Sequence, residues 1–498
     1  MKKVTTRYLD GQKEKSVAEL HWDETLTEQE NRLINLYPEV QYQTIQGFGG
    51  AFTDASGYVF AKMPEELQRK LAHDYFSTEG NAYTLGRTSV DSCDFSAGIY
   101  CSDNTPDDFE LKDFDPARSE KYVLPLVKMA QEEAGRPIGM MLTPWSPPEW
   151  MKTNHSRLHG GELKPEYYSL WAEYICRFIE AYQQAGVDVK MLSSQNEPKA
   201  VQTWDSCLMN AAQEREFIQH HLYPALKRHH LEDVCLLIWD HNKERVFDRV
   251  SETLNNPEVA EMVGGAAVHW YSGDHFEALQ MTHERFPKLQ LVFSEGCVEF
   301  SRFGGTHQVR DAEMYAHDVI GSMNHGLNAF IDWNLLLDGK GGPNHVGNFC
   351  SAPAMYDEET GELRYNLSFD YLGHFSHYIR PGAVRIGMSR FGEALEALAV
   401  RNPDGTIVVV VLNRRDEDAK FFLRKNGRVV ETMQEAINVN ATKMPPFMPT
   451  AFAIHTKPPE RPHSLIKALS IPTSTITDIK CGAYVIVCTV FLKRAFLM

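Results

Sequence analysis

VKMLSSQNEP (residues 189–198) and LQLVFSEG (289–296) each run through apolar residues into a glutamate, Glu197 and Glu295, and each is closed by a turn residue, Pro198 or Gly296. Short apolar runs bounded in this way read as buried parallel strands, which predicts a carboxylate at the C-terminal tip of each. Six further runs resemble them: QTIQGFGGAF (43–52), LGRTSV (85–90), IGMMLTPW (138–145), VCLLIWD (234–240), GAAVHWY (265–271) and NAFIDWN (328–334). Helix-length amphipathic segments separate nearly all of them. KPEYYSLWAEYICRFIEAYQQAG (164–186) has Pro165 near its first turn, an apolar stripe at spacings of three and four, and Gly186 as a stop. Strand and helix alternating eight times predict an α/β fold, a (β/α)8 TIM barrel, over residues 43–376.

Beyond residue 376 the pattern changes. EALEALAVRNPDGTIVVVVLNRRDEDAKFFLRKNGRVVETM carries Asp404-Gly405 and Asn426-Gly427 as tight-turn signals between β-rich runs, predicting an all-β, sandwich-like side domain over 377–456. The short polar segment 1–42 is expected to add a strand to it. From 457 to 498 a KPPERPH break leads into an apolar tail without strand alternation or helix periodicity, expected to be disordered and prone to aggregate. Its longest uncharged stretch, Cys481 to Leu492, is too short to cross a bilayer core of roughly 30 Å.

Composition narrows the function classes. With 498 residues and 43% of them hydrophobic, the chain can bury one large core and a smaller one, as a soluble globular protein does. A formal net charge of −17, with Lys and Arg scattered, repels a phosphate backbone and an anionic membrane surface, so nucleic acid is not expected as a partner. MKKVTTRYLDGQKEKSVAEL has no apolar core behind its lysines, which predicts a cytoplasmic protein unless a signal has been removed. Nine cysteines without a CxxC pair fit reduced thiols. GFGGAF lacks the spacing of a dinucleotide fingerprint, no Gly-Lys-Ser/Thr motif occurs, and His220, His221, His229 and His230 lack a zinc-type arrangement, so neither cofactor nor metal is expected.

Most acidic side chains are solvated, but a Glu ending a buried strand is costly unless it has a partner or a task. Two such carboxyls, one ionised and one kept protonated, are the equipment for cleaving a glycosidic bond. Glu295, within reach of neighbours such as Tyr271, is the expected nucleophile, and Glu197 the expected acid/base with a raised pKa. Trp145, Trp270, Tyr271 and Trp333 close predicted strands, where single aromatics usually pack but a ring of them suits the C–H faces of a sugar. Arg87, Asp94, Asn196, His269 and Asn348 lie at or just after strand ends. Asp94 could accept from two sugar hydroxyls, and His269 is expected only to support. A carbohydrate-binding protein on a degenerate barrel would keep the aromatics but have no use for both glutamates.

QGFGGAFTDAS, SCDFS followed by TPDDF, TPWSPPEWMKTN, QNEP, AVHWY, SEGCV, DWNLLLDGKGGPN with VGNF, and LGHFS occur in order from about residue 44 to 376. Together they resemble glycoside hydrolase family 30, most closely its glucosylceramidase branch, and VVVVLNR extends the likeness into the β domain. The resemblance implies a retaining mechanism without cofactor and a carbohydrate or glycolipid substrate, with Glu197 as acid/base and Glu295 as nucleophile. It also implies that Asp94, Trp145, Asn196, Trp333 and Asn348 hold the sugar while Arg87 and Tyr271 orient the nucleophile. Loops 100–120, 199–212 and 300–312 would shape the aglycone side. Related branches act on β-1,6-glucan, β-xylosides or β-fucosides, which leaves the sugar open. Lysosomal members carry a signal peptide and N-terminal disulfides that have no counterpart here.

Overall fold

A computed structural model describes residues 2–9, 12–23, 29–392, 395–415, 419–434, 450–455 and 483–489. They fall into two units, one formed by Phe48–Thr306 with His325–Tyr365, the other by Met1–Gly47, His307–Asn324 and Asn366–Met498. All eight apolar runs form strands: β1 Gly47–Ala51, β2 Leu85–Val90, β3 Gly139–Pro144, β4 Asp188–Ser193, β5 Cys235–Asn242, β6 Gly265–His269, β7 Gln290–Glu295 and β8 Ala329–Asn334. They close in sequence order into a barrel, with parallel β6–β7 and β4–β5 pairs among the ladders.

Side-chain alternation stacks the barrel interior in layers. Leu85, Met141, Met191, Leu237, Ala267, Val292, Ala329 and Ile331 form one buried apolar cluster. Two residues further along several of the same strands stand Arg87, Thr143, His269 and Ser294, so a polar layer lies directly above the apolar one. Higher still, Trp145, Trp333, Phe95, Cys93, Cys297 and Cys350 pack together at the C-terminal mouth.

The outer helices follow the expected physics. Pro165–Tyr167 makes a 3-10 turn into the helix Tyr168–Gln184, which buries Trp171, Tyr174, Ile175, Phe178 and Tyr182. Gly186, at φ +89°, ends the segment in a conformation that costs glycine little.

The second unit is built on a ten-stranded sheet. Its core takes alternate residues of successive strands, including Ile34 and Leu36, Ala397 and Ala399, Ile407, Val409 and Val411, and Phe421 and Leu423. Asn426 and Gly427, both at positive φ, form the tight turn between strands Ala419–Lys425 and Arg428–Gln434. Strand Leu33–Ile45 pairs with Ala383–Arg390, and helix Gln308–Asn324 adds a bond from Asn324 Nδ2 to Ala397 O at 2.8 Å. Of the predicted tail, residues 457–482 and 490–498 lie outside the described residues, whereas Ala483–Thr489 pairs in parallel with Ile407–Asn413.

One buried carboxylate ties the ends of β4 and β5 to the helices outside them. Glu214, fully buried on the helix Ala211–Phe217, accepts from Ser194 Oγ at 2.7 Å, Trp239 N at 3.2 Å, Arg249 Nε at 2.9 Å and Thr253 Oγ1 at 3.1 Å. E214A leaves the buried Arg249 without its ion-pair partner and is expected to cost about 3–5 kcal/mol. Urea unfolding of the variant checks this, and a loss within about 0.5 kcal/mol, as at an ordinary surface site, would contradict it.

Candidate active site

Arg87, in the middle of β2 and without solvent exposure, is the hub of the polar layer. Its Nη1 donates to Glu295 Oε2 at 2.6 Å, its Nη2 to Asp240 Oδ2 at 3.0 Å and Asn196 Oδ1 at 2.9 Å, and its Nε to Thr143 Oγ1 at 3.2 Å. Burial alone would lower the guanidinium pKa, but the charges of Asp240 and Glu295 outweigh it and raise the value.

Strict alternation would aim two of these carboxylates at the outer helices. On β7, Val292 and Ser294 face inward, so Glu295 has the wrong parity, and on β5 Leu237 faces inward, so Asp240 does too. Register shifts between Phe293 and Glu295 and between Trp239 and His241 reverse both. Trp239 and Asp240 stand at φ +73° and +46°, which turns Trp239 out against Arg249 and Asp240 in toward Arg87.

Glu197 carries a further departure, at φ +41°. A non-glycine residue held there costs about 1–3 kcal/mol and persists only where the surroundings enforce it. They do so here: Glu197 N donates to Asp240 O at 2.9 Å, Asn196 N to Pro144 O at 2.8 Å and Ala200 N to Glu197 O at 2.9 Å.

His269, fully buried at the end of β6, bridges the acidic groups. Its Nε2 lies 3.1 Å from Asp240 Oδ1 and its Nδ1 lies 3.2 Å from Glu197 Oε1 and 4.0 Å from Glu295 Oε1. Burial would lower its pKa, yet Glu295, Asp240 and Glu197 outweigh it and bring His269 up to about 9. Asp240, despite burial, is held far below the ordinary carboxylate range by Arg87, His269 and Ser294, whose hydroxyl donates at 2.6 Å.

Glu197 departs from the sequence expectation of a raised pKa. Burial pushes it up, but the hydrogen bond from His269 and the neighbouring imidazoles push harder, so it lies below its usual value. Asp94 goes the other way: burial first and the Glu295 charge second raise it well above the ordinary range, with Asn344 Nδ2 donating to its Oδ2 at 3.1 Å.

A cleft opens over this layer. Asp94, Trp145, Asn196, Glu197, Tyr271, Glu295, Trp333 and Asn348 all line it, while Arg87 and His269 lie in the layer beneath. Tyr271 donates its hydroxyl to Glu295 Oε1 at 2.9 Å. Trp145 and Trp333 stack with centroids 5.4 Å apart, and the Arg87 guanidinium lies 4.7 and 5.3 Å from the two rings. Asn348 Nδ2 donates to Glu299 Oε1 at 3.4 Å.

Trp270 is the exception among the predicted aromatics. It packs edge-on against Phe293 and donates its Nε1 to Cys297 O, so it supports the wall rather than lining the cleft. Sequence reading missed Asp240, His241, Ser294, Gln202, Trp204 and Glu299. Asp240 did carry a signal, since it ends VCLLIWD as Glu295 ends its own run. Glu197, His241 and His269 bring one ligand atom each within 4.8 Å of one another. A doubly protonated His269 has no lone pair to offer, so a cation would first have to displace its proton.

A closed parallel barrel carrying paired glutamates under an aromatic cleft at its C-terminal mouth is the layout of a sugar-cleaving enzyme, and two domain models confirm its lineage. Residues 45–379 match the glycosyl hydrolase family 30 TIM-barrel domain, and residues 382–446 match the family's β-sandwich domain. The chain belongs to glycoside hydrolase family 30. Among relatives of this glycosidase, the lysosomal acid glucosylceramidase of Mus musculus is 36% identical over 78% of the chain and 79% of its own length. An endo-1,6-β-D-glucanase of Neurospora crassa is 28% identical over 76% and 80%. The crystal structure of SrfJ from Salmonella typhimurium superposes with a TM-score of 0.83 at 36% identity, covering 87% of this chain and 97% of that one.

The raised His269 pKa has a stability consequence. Its charge stabilises the fold in full below the ordinary imidazole value near 6.5, and the contribution, on the order of 3 kcal/mol, fades as pH rises through about 9. Tm is expected to fall between about pH 7 and pH 9, and H269N to start lower and lose less over that interval. Parallel curves for the two proteins would contradict the charged bridge.

Proposed function

We propose that this family 30 enzyme is a retaining β-glucosidase of the glucosylceramidase type, with Glu295 as nucleophile and Glu197 as acid/base. The observation carrying the reading is that one imidazole nitrogen, His269 Nδ1, reaches both carboxylates, at 3.2 and 4.0 Å. A shared nitrogen caps the separation of those two oxygens at about 7 Å, which accommodates the retaining pair's about 5–5.5 Å and excludes most of the inverting pair's roughly 6.5–9.5 Å.

The two glutamates divide the work by their partners. Arg87 and Tyr271 hold both oxygens of Glu295, which aims the carboxylate at the anomeric carbon. Glu197 touches an imidazolium. When a sugar and its aglycone displace water from the cleft, burial weighs more on Glu197, and the Nδ1 proton passes from His269 to its carboxylate. Glu295 then bonds to the anomeric carbon as the glycosidic C–O bond breaks, and the departing oxygen takes the Glu197 proton. In the second half Glu197 removes a proton from water, the water oxygen displaces Glu295, and the sugar leaves with its β configuration.

Trp145 and Trp333 form the platform for a sugar face, and Asp94, Asn196 and Asn348 supply hydroxyl partners. Asp94, whose pKa burial raises well above the ordinary range, can donate as well as accept. Likeness to a glucosylceramidase at 36% identity supports a glucoside with a lipid aglycone and a place in sphingolipid breakdown. The Neurospora relative supports β-1,6-glucan as the second reading, and hydrolysis of glucosylceramide measured beside that of β-1,6-glucan separates the two.

E197A is expected to lose about 10²–10⁴-fold in kcat on an aryl β-glucoside with a poor leaving group, and on an activated aryl β-glucoside to regain turnover with azide, giving a β-glycosyl azide. E295A with azide is expected to give the α product. The reverse pattern would overturn the assignment of roles.

A further inference from the structure

Two thiols in the wall of the cleft stand closer than unbonded sulfurs normally approach. Cys297 Sγ lies 2.9 Å from Cys350 Sγ, and both residues are buried free cysteines. Cys297 follows the nucleophile strand by two residues and lines the cleft, whereas Cys350 lies behind it, two residues after Asn348. The remaining described cysteines, Cys93, Cys101, Cys176, Cys207 and Cys235, have no sulfur partner among the hydrogen bonds of the described residues.

The backbones on either side are already fastened together. Val298–Glu299 pairs antiparallel with Cys350–Ser351, in the register Val298 with Ser351 and Glu299 with Cys350. Cys350 N also donates to Gly341 O at 3.1 Å. Gly341, at φ +89°, permits that approach, since a Cβ there would come within 2.5 Å of Cys350 O. A disulfide needs its sulfurs at about 2.05 Å, so side-chain rotation and a small backbone shift suffice to close the pair.

We propose that Cys297 and Cys350 form an oxidisable dithiol that closes to a disulfide and lowers turnover. The oxidant class is a small hydroperoxide that enters through the cleft. With hydrogen peroxide, the simplest of the class, the Cys297 sulfur is oxidised to a sulfenic acid as the O–O bond breaks and the other oxygen leaves as water. The Cys350 sulfur then displaces the sulfenic oxygen, its thiol proton leaves with that oxygen as a second water, and the S–S bond forms. Two electrons pass from the thiols to one peroxide. Burial raises both thiols above the ordinary range, which keeps them protonated and makes closure slow.

The consequence for the site follows from what each sulfur touches. Cys297 Sγ lies 3.6 Å from the Tyr271 hydroxyl, the donor to Glu295 Oε1. Drawing Cys297 toward Cys350 removes that neighbour from Tyr271 and moves the segment bearing Asn348. A displacement near 1 Å at a positioning group is enough to cost about ten- to a hundredfold in kcat/KM.

The test treats the full chain with hydrogen peroxide, blocks residual thiols with N-ethylmaleimide under denaturing conditions, and maps the peptides. A Cys297–Cys350 linked peptide is expected, about 2 Da lighter than its two thiol peptides together, along with an activity loss on an aryl β-glycoside that dithiothreitol reverses. C350A, or C350S should the first fold poorly, is expected to keep basal turnover and to lose little activity on the same treatment. Absence of the linked peptide overturns the proposal. So does a linked peptide at full activity, or equal inactivation of C350A and the unsubstituted chain. Because the linked peptide is read by mass, its presence or absence is independent of which glycoside the enzyme prefers.

Discussion

The buried guanidinium of Arg87 is the constraint on which the site depends. Three carboxylates, the fully buried Asp240 and the largely buried Glu197 and Glu295 at the cleft floor, converge here, and their mutual repulsion away from bulk water would be severe. Arg87 and the imidazolium of His269 supply two positive charges among them. One negative charge remains over, and it faces the cleft. That surplus is what a sugar-cleaving site needs, since positive charge develops at the anomeric carbon in the transition state.

Asp240 acts on the reaction through others. It takes one side of Arg87 and the Nε2 side of His269, and so fixes which face of each cation is left for the glutamates. The Glu197–His269 pair then behaves as one titrating unit with a movable proton, set by how much water covers it. Such a unit reconciles the proposed proton-donating role of Glu197 with a pKa below the ordinary one. Backbone strain at Glu197, Trp239 and Asp240 belongs to the same construction. Hydrogen bonds from neighbouring strands, together with the Glu214 network outside the barrel, hold these residues in place.

Much of this was legible in the chain. The eight strand runs, the helix over 164–186 and the Asn426-Gly427 turn are local patterns, and local patterns survive folding when burial and propensity agree. Glu197 and Glu295 were legible because a carboxylate ending an apolar strand is expensive without a purpose. The ranking of the supporting residues was not. His269 was expected to be marginal and stands at the centre of the charge network, whereas Trp270, counted among the cleft aromatics, packs behind it. A single residue's neighbours across the barrel come from strands tens of residues away, and period-two alternation carries no information about them.

The sequence by itself determined the fold class, the family and the placing of two glutamates at strand ends, because these rest on hydrophobic periodicity and on ordered motifs along one chain. Only the tertiary structure decided which way Glu295 and Asp240 point, the sign of the shift at Glu197, and the meeting of Cys297 with Cys350. The reason is geometric: a bulge of one residue reverses every face assignment beyond it. Its position is set by pairing between strands rather than by the residues of one strand.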